Sequence, residues 1–152
     1  DLGGVSGSLG SENSIENFEV MDKKILPLIC YESIYGDMNT GKNIDVISII
    51  TNDGWWGNTA GHKQHFSYSK LRAIEQKRAI VRSANTGISG FINPLGEVRE
   101  IAKWDEKKVI KSQVAICNTV TFYNKFGDYL GRISSFISSI FILMILVKSK
   151  IQ

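Results

Sequence analysis

Cysteine is scarce in this chain, which has only Cys30 and Cys117. The two form no CxxC pair and have no spacing to histidine that would build a zinc site, so no metal and no cofactor are expected. Charge imbalance is also small: the net charge of +3 is spread along the chain and gives no case for nucleic acid as a partner. The start is unusual too. The opening DLGGVSGSLGSENSIENF has no initiator methionine, no basic n-region and no apolar h-region. Its Gly, Ser and Asn content makes residues 1–17 a flexible loop in expectation, cut out of a longer protein. Histidine is limited to His62 and His65, three apart with no third ligand near in sequence, and both are expected as exposed polar residues. At 152 residues and 43% hydrophobic, the chain suits one globular domain with a sizeable core.

The organising stretch is LPLICYESIYGD, Leu26 to Asp37. An apolar run, Ile25 to Ile29, delivers Cys30 to a point where polar and small residues take over. This is the pattern of a buried strand ending in a sharp turn that exposes a thiol and frees the next backbone N–H for an oxyanion. Glu32, two residues on, is placed to meet the same pocket. On this stretch alone a free cysteine reads first as a small buried hydrophobe, and what overturns that reading lies downstream.

Around this centre the pattern is α/β. FEVMDKKILPLIC predicts two strands joined at Asp22-Lys23, and the β-branched run Ile44–Thr51 predicts a strand buried on both faces. The latter ends in TNDGWWGNTAG, whose Asn52, Asp53, Trp55 and Trp56 are candidates for substrate contact, since loops at the ends of buried strands carry function. The two tryptophans read equally as a hydrophobic cap. Lys63–Ala79 predicts a helix, with Phe66, Ala73 and Ile80 recurring every seven residues and Leu71 and Ile74 beside them. Glu75 is spaced to pair with Arg72 or Arg78. Strands follow at Ile80–Ala84, Ile88–Asn93 and Glu97–Ala102, and the alternation of Val109–Cys117 predicts a half-buried strand closed by a packing Cys117.

From Ile133 to Val147 charge disappears altogether. Fifteen helical residues span about 22 Å, short of the roughly 30 Å hydrocarbon core, but a start at Tyr129 brings the helix close to spanning. The serines are expected to bond back to the helix or to neighbouring helices. Lys148 and Lys150 would place the C-terminus in the cytoplasm.

ICYES around Cys30, the TNDGWWG loop and LRAIEQKRAIVRSANTGISGFINPLGEV, Leu71 to Val98, resemble the nitrilase (carbon–nitrogen hydrolase) superfamily. Within it, TNDGWWG followed by Gln64-His65-Phe66, and FGDYLGR before an apolar helix, are most similar to the apolipoprotein N-acyltransferase family. The resemblance implies a partial α-β-β-α sandwich followed by a C-terminal transmembrane helix: a loop at 1–17, the C-terminal part of the catalytic domain at 18–126, and the membrane helix with a short cytoplasmic tail at 127–152. It implies a periplasm-facing domain at the bacterial inner membrane that moves an acyl chain from a phospholipid to the N-terminal amine of a diacylglyceryl-modified lipoprotein. Cys30 maps onto the thioester-forming nucleophile, the Tyr31 backbone N–H onto an oxyanion donor, and Glu32 onto a pocket carboxylate. A thiolate suits both half-reactions, because it attacks well and leaves well. The superfamily's catalytic Glu and Lys lie far upstream of the cysteine, and Glu12, Glu16, Lys23 and Lys24 are in the wrong context to replace them. The chain therefore reads as an inactive C-terminal piece. Two alternatives compete: a soluble nitrilase-type amidase, and a membrane-tethered binding remnant without catalysis.

Overall fold

In the computed structural model, residues 15–41 and 43–151 are described. Most of the expected 1–17 loop therefore lies outside the described residues. A six-stranded sheet runs in chain order, β1 (Phe18–Val20), β2 (Lys23–Ile29), β3 (Val46–Asn52), β4 (Ala79–Asn85), β5 (Ser89–Ile92) and β6 (Val98–Ala102). The middle three strands are parallel, while β1 and the β5–β6 hairpin add antiparallel edges. Met21 and Asp22 join β1 to β2 with φ of 52° and 61°. Two positive φ values in a two-residue loop match the right-handed twist of a hairpin. The turn thus falls one residue earlier than the Asp22-Lys23 junction expected.

Helix α1 (Ala60–Gln76) makes the crossover from β3 to β4 and covers one face of the sheet. The core lies between them and includes Leu26, Leu28, Ile47, Ile49, Phe66, Ala73, Ile80 and Ile92. The helix starts three residues before the expected Lys63 because Thr59 caps it, its hydroxyl accepting from Gly61 N at 3.3 Å. It stops before the expected Ala79 because Lys77 turns left-handed at φ 50°. Its buried stripe is His62, His65, Phe66, Ser69, Arg72, Ala73 and Gln76, whereas Leu71 and Ile74 face outward. Both histidines are therefore buried, not exposed. They fall on the helical period that Phe66 and Ala73 define, so the fold draws them inside.

On the opposite face, Ile29 and Ile50 pair in register and stand 64% and 58% exposed at the carboxyl ends of β2 and β3. One helix–sheet half of a sandwich is what the described residues provide. Residues 109–117 form no strand. Their alternation is real from 110 to 115, where Ile110, Ser112 and Val114 are half-buried between exposed neighbours, and Ser112 to Ala115 border a cleft of about 520 Å³ with Phe91, Ile92 and Ala79. The segment lies against the sheet without joining its ladder, and Arg78 holds its far end by donating to Thr119 O at 2.7 Å. Arg72, not Arg78, pairs with Glu75, at 3.0 Å.

A short helix α2 (Phe122–Phe126) leads into α3 (Tyr129–Ile151). Gly41 N donates to Asn124 O at 2.7 Å, and the Asn124 amide donates to Gln76 Oε1. Thus α2 joins the loop after Cys30 to α1. The Asp128 carboxylate accepts from Gly131 N at 2.9 Å and caps α3. Within α3, Tyr129–Ser149 has a mean hydropathy of 2.1 and none of its most apolar stretch is buried, so it is long and apolar enough to cross a membrane. Ser139 donates back to Ser135 O at 2.8 Å, which satisfies a hydroxyl inside the apolar helix.

Candidate active site

At the exit of β2 the backbone breaks into a tight turn, Cys30–Ile34, and Cys30 itself takes φ 51°. A non-glycine residue in the left-handed region costs about 1–3 kcal/mol and persists only where its surroundings over-determine it. Three contacts do so here. Glu32 Oε2 accepts from Ile29 N at 2.6 Å, Ser33 Oγ donates to Cys30 O at 2.7 Å, and His65 Nε2 lies 3.2 Å from the same carbonyl. Glu32, expected to meet the pocket, closes the turn from its near side.

The second loop comes from the neighbouring parallel strand. After β3, Asn52 accepts from Gly54 N at 3.1 Å, which folds Asp53–Trp56 into a short turn. Asp53 departs from its expected place at the substrate face. Its side chain is fully buried and points inward, because three donors gather there: Thr51 Oγ1 and His65 Nδ1 at 2.9 Å on Oδ1, and Arg82 Nη2 at 2.7 Å on Oδ2. Gly87 leaves the room this requires. A Cβ at that position would fall 2.3 Å from Asp53 Oδ2.

The two tryptophans differ in their surroundings. Trp56 packs edge-on to His65 and Tyr31, at centroid distances of 5.2 and 5.7 Å, and Gly61 of α1 accommodates it. Trp55 is 79% exposed. Ile29 and Tyr31, which flank Cys30 in the chain, are also more than half exposed.

His65, Arg82 and Ser33 were missed in the sequence. The signal for His65 was its phase on α1, one residue before Phe66. Arg82 and Ser33 sit among apolar or loop residues and carried none. Lys23 and Lys24 lie at the opposite end of β2 from Cys30, about 20 Å away, which agrees with their wrong context. Both cysteines are free. Cys117 lies in the unpaired segment after β6, and a hydrogen bond from the Thr119 hydroxyl draws its thiol below the usual range. Among the described residues no three His, Cys, Asp or Glu side chains converge as metal ligands.

Electrostatics bind the two loops together. Burial is the largest influence on Asp53 and raises its carboxyl. The His65 hydrogen bond, the Arg82 charge and the Thr51 hydroxyl together outweigh it and hold Asp53 below the ordinary carboxylate value. Burial likewise lowers Arg82 from its ordinary value, against the pull of Asp53. Glu75 behaves oppositely: burial raises it, with Arg72 opposing.

A parallel-centred sheet backed by a helix, with a cysteine held left-handed at the carboxyl ends of the strands, defines an α/β domain of the cysteine-elbow type. The chain belongs to the carbon–nitrogen hydrolase family, whose model matches residues 5–121. It is 37% identical to the apolipoprotein N-acyltransferase of Rickettsia prowazekii over 125 residues, covering 80% of this chain and 24% of the relative. It is 42% identical to that of Rickettsia bellii over 108 residues, covering 69% and 22%. The chain therefore spans about a quarter of the length of these curated relatives. Among solved structures, a CN-hydrolase superfamily protein from Xanthomonas campestris, with an arsenic adduct in its active site, matches with a TM-score of 0.55. The identity is 16%, with coverage of 74% of this chain and 46% of that one, so the likeness concerns the fold.

The depressed Asp53 carboxyl stabilises the fold fully above the ordinary carboxylate value and loses this effect as pH falls through its lower folded value. The raised Glu75 acts the other way, its contribution being present at low pH and lost as pH rises through its folded value. Replacing Asp53 by Asn leaves Arg82 buried without a counter-charge, and should cost about 3–5 kcal/mol at neutral pH. It should also flatten the loss of stability below about pH 4. Urea unfolding midpoints measured across pH check both effects, and an unchanged acid limb would contradict the assignment.

Proposed function

We propose that this chain forms the thiol-bearing part of a membrane acyltransferase. In this reading it takes an acyl chain from a phospholipid and passes it to the N-terminal amine of a diacylglyceryl-modified lipoprotein. The observation that carries the reading is Cys30, held at φ 51° at the carboxyl end of β2 between the exposed Ile29 and Tyr31. The similarity to apolipoprotein N-acyltransferases supports the choice of reaction.

The chemistry runs in two balanced steps. The Cys30 thiolate attacks the phospholipid ester carbonyl, a C–S bond forms, and the C–O bond breaks to release a lysophospholipid that takes up a proton. The lipoprotein amine then attacks the thioester, an amide forms, the amine's proton is lost, and the thiolate departs. The Tyr31 backbone N–H is assigned to the developing oxyanion, and Glu32 to shaping the pocket while it closes the turn. The general base and the cationic partner, a Glu and a Lys in the resemblance, have no match in this sequence and fall to residues outside it. The chain alone is therefore inactive in this account.

Trp55 supplies an exposed indole for acyl chain or headgroup, as tryptophan suits a membrane interface. Helix α3 would cross the inner membrane, hold the site at its periplasmic face and leave Lys148 to Gln152 in the cytoplasm.

In the full-length product of the reading frame that contains this chain, Cys30→Ser should abolish acyl transfer, because a hydroxyl lacks the thiolate population near neutral pH. Cys117→Ala should preserve it. Full transfer by the Cys30→Ser protein in a lipoprotein mobility assay would end the nucleophile assignment.

Trp55→Ala should raise the KM for phospholipid with little change in thermal midpoint, whereas Trp56→Ala should lower the midpoint, since it packs against Gly61. Equal effects on both quantities would remove the division of roles between them.

A single reporter cysteine at Ser149, in a Cys30→Ala, Cys117→Ala background, should react with an impermeant thiol reagent only after the inner membrane is opened. Labelling after permeabilising the outer membrane alone would reverse the orientation. Release of the protein by alkaline carbonate would favour a soluble amidase.

A further inference from the structure

We propose that His65 is a positioning residue that aims the Tyr31 amide, an inference resting on the assignment of Cys30 as nucleophile. The peptide unit joining Cys30 to Tyr31 couples the two groups. No cis peptide bond occurs among the described residues, and in a trans unit the carbonyl and the N–H point in opposite directions. Whatever draws the Cys30 carbonyl into the protein therefore turns the Tyr31 N–H away from the buried Ser33 and His65.

Two groups draw it in. Ser33 Oγ donates to Cys30 O at 2.7 Å, and His65 Nε2 lies 3.2 Å from that oxygen and 3.0 Å from Ser33 Oγ. With the serine hydrogen committed to the carbonyl, both oxygens facing Nε2 are acceptors, so Nε2 donates; since Nδ1 donates to the Asp53 carboxylate, the ring in this arrangement carries both of its protons.

The other side of the ring is fixed independently. Asp53 Oδ1 accepts from Nδ1 at 2.9 Å, and Asp53 is held by Thr51 and by Arg82. Arg82 in turn donates to Ser69 Oγ and to Ile88 O, each at 3.1 Å. Every polar side chain of this line, Arg82, Asp53, His65 and Ser33, is buried. Trp56 and Tyr31 pack against the imidazole, at 5.2 and 6.0 Å between centroids. The ring can neither flip nor slide, so the line from β4 through the Asp53 turn to the Cys30 carbonyl is rigid. A preorganised donor is what oxyanion stabilisation requires, since a mobile amide would have to be reoriented as charge develops.

Two conservative replacements separate the functions of the ring nitrogens. His65→Gln keeps a donor near the Nε2 position, and His65→Asn keeps one near Nδ1 only. In the full-length protein given a phospholipid donor, Cys30 acylation is followed by mass spectrometry, and kcat, KM and thermal midpoint are measured for each variant. His65→Asn should lower kcat by about 10²–10³-fold with KM unchanged, the loss expected for one oxyanion donor. His65→Gln should recover most of that loss. Ser33→Ala, which leaves His65 as the remaining side-chain partner of the carbonyl, should lose no more than about tenfold.

Acylation of Cys30 at the wild-type rate in His65→Asn overturns the proposal while leaving the nucleophile assignment intact. So does an equal loss in the Asn and Gln variants that follows their thermal midpoints, for this marks a structural role. A Ser33→Ala loss as large as that of His65→Asn assigns the carbonyl to the serine and also overturns it, whether or not the histidine variants fold. Acylation absent from Cys30 in the wild type removes the nucleophile assignment and the proposal together.

Discussion

The ion pair between Asp53 and Arg82, 2.7 Å long and fully buried, is the constraint on which the site depends. A buried pair gains little net stability, because desolvating two charges offsets most of their attraction. What it contributes here is placement. Arg82 stands on β4 in the middle of the sheet, and Asp53 begins the loop after β3. Their bond fixes that loop against the sheet, and His65 carries the same restraint across to the turn after β2. Three consecutive parallel strands thus end in loops that share one hydrogen-bonded core. Removing either charge would leave the other buried without its partner's opposite charge, so the line is vulnerable to single substitutions.

Much of the fold could be read from the sequence, and the exceptions have physical causes. Ile44–Thr51 was legible because a strand buried on both faces needs a continuous β-branched run, and β3 is observed over Val46–Asn52. The Cys30 turn was legible because an apolar strand gives way abruptly to polar residues. Val109–Cys117 misled, since alternation records only that one side of a chain faces protein. It does not record whether the backbone finds a ladder partner. His65 was misplaced because histidine is judged polar in isolation, while its burial is decided by helical phase and by a carboxylate twelve residues earlier. Asp53 was drawn to the substrate face by its Gly-rich loop. Its actual partner, Arg82, becomes visible only once β3 and β4 lie side by side.

The geometry also joins the site to α3. Helix α2 is bonded to the loop that follows the Cys30 turn through Gly41 and to the end of α1 through Gln76. Gly127 and the Asp128 cap leave little slack before the apolar helix begins. Ile29, Tyr31 and Trp55 are exposed. Under the proposed reaction, with α3 in the bilayer, these bonds would set how the thiol stands relative to the lipid surface in which both proposed substrates are anchored.

The central claim is that Cys30 carries the acyl group. The most direct measurement is mass spectrometry of the full-length protein after incubation with a phospholipid donor and no lipoprotein acceptor. The account predicts one added acyl chain on the peptide containing Cys30, removed by neutral hydroxylamine as a thioester is. An acyl group found only on Cys117, or a hydroxylamine-resistant adduct on another residue of a protein that still transfers acyl chains, would contradict it.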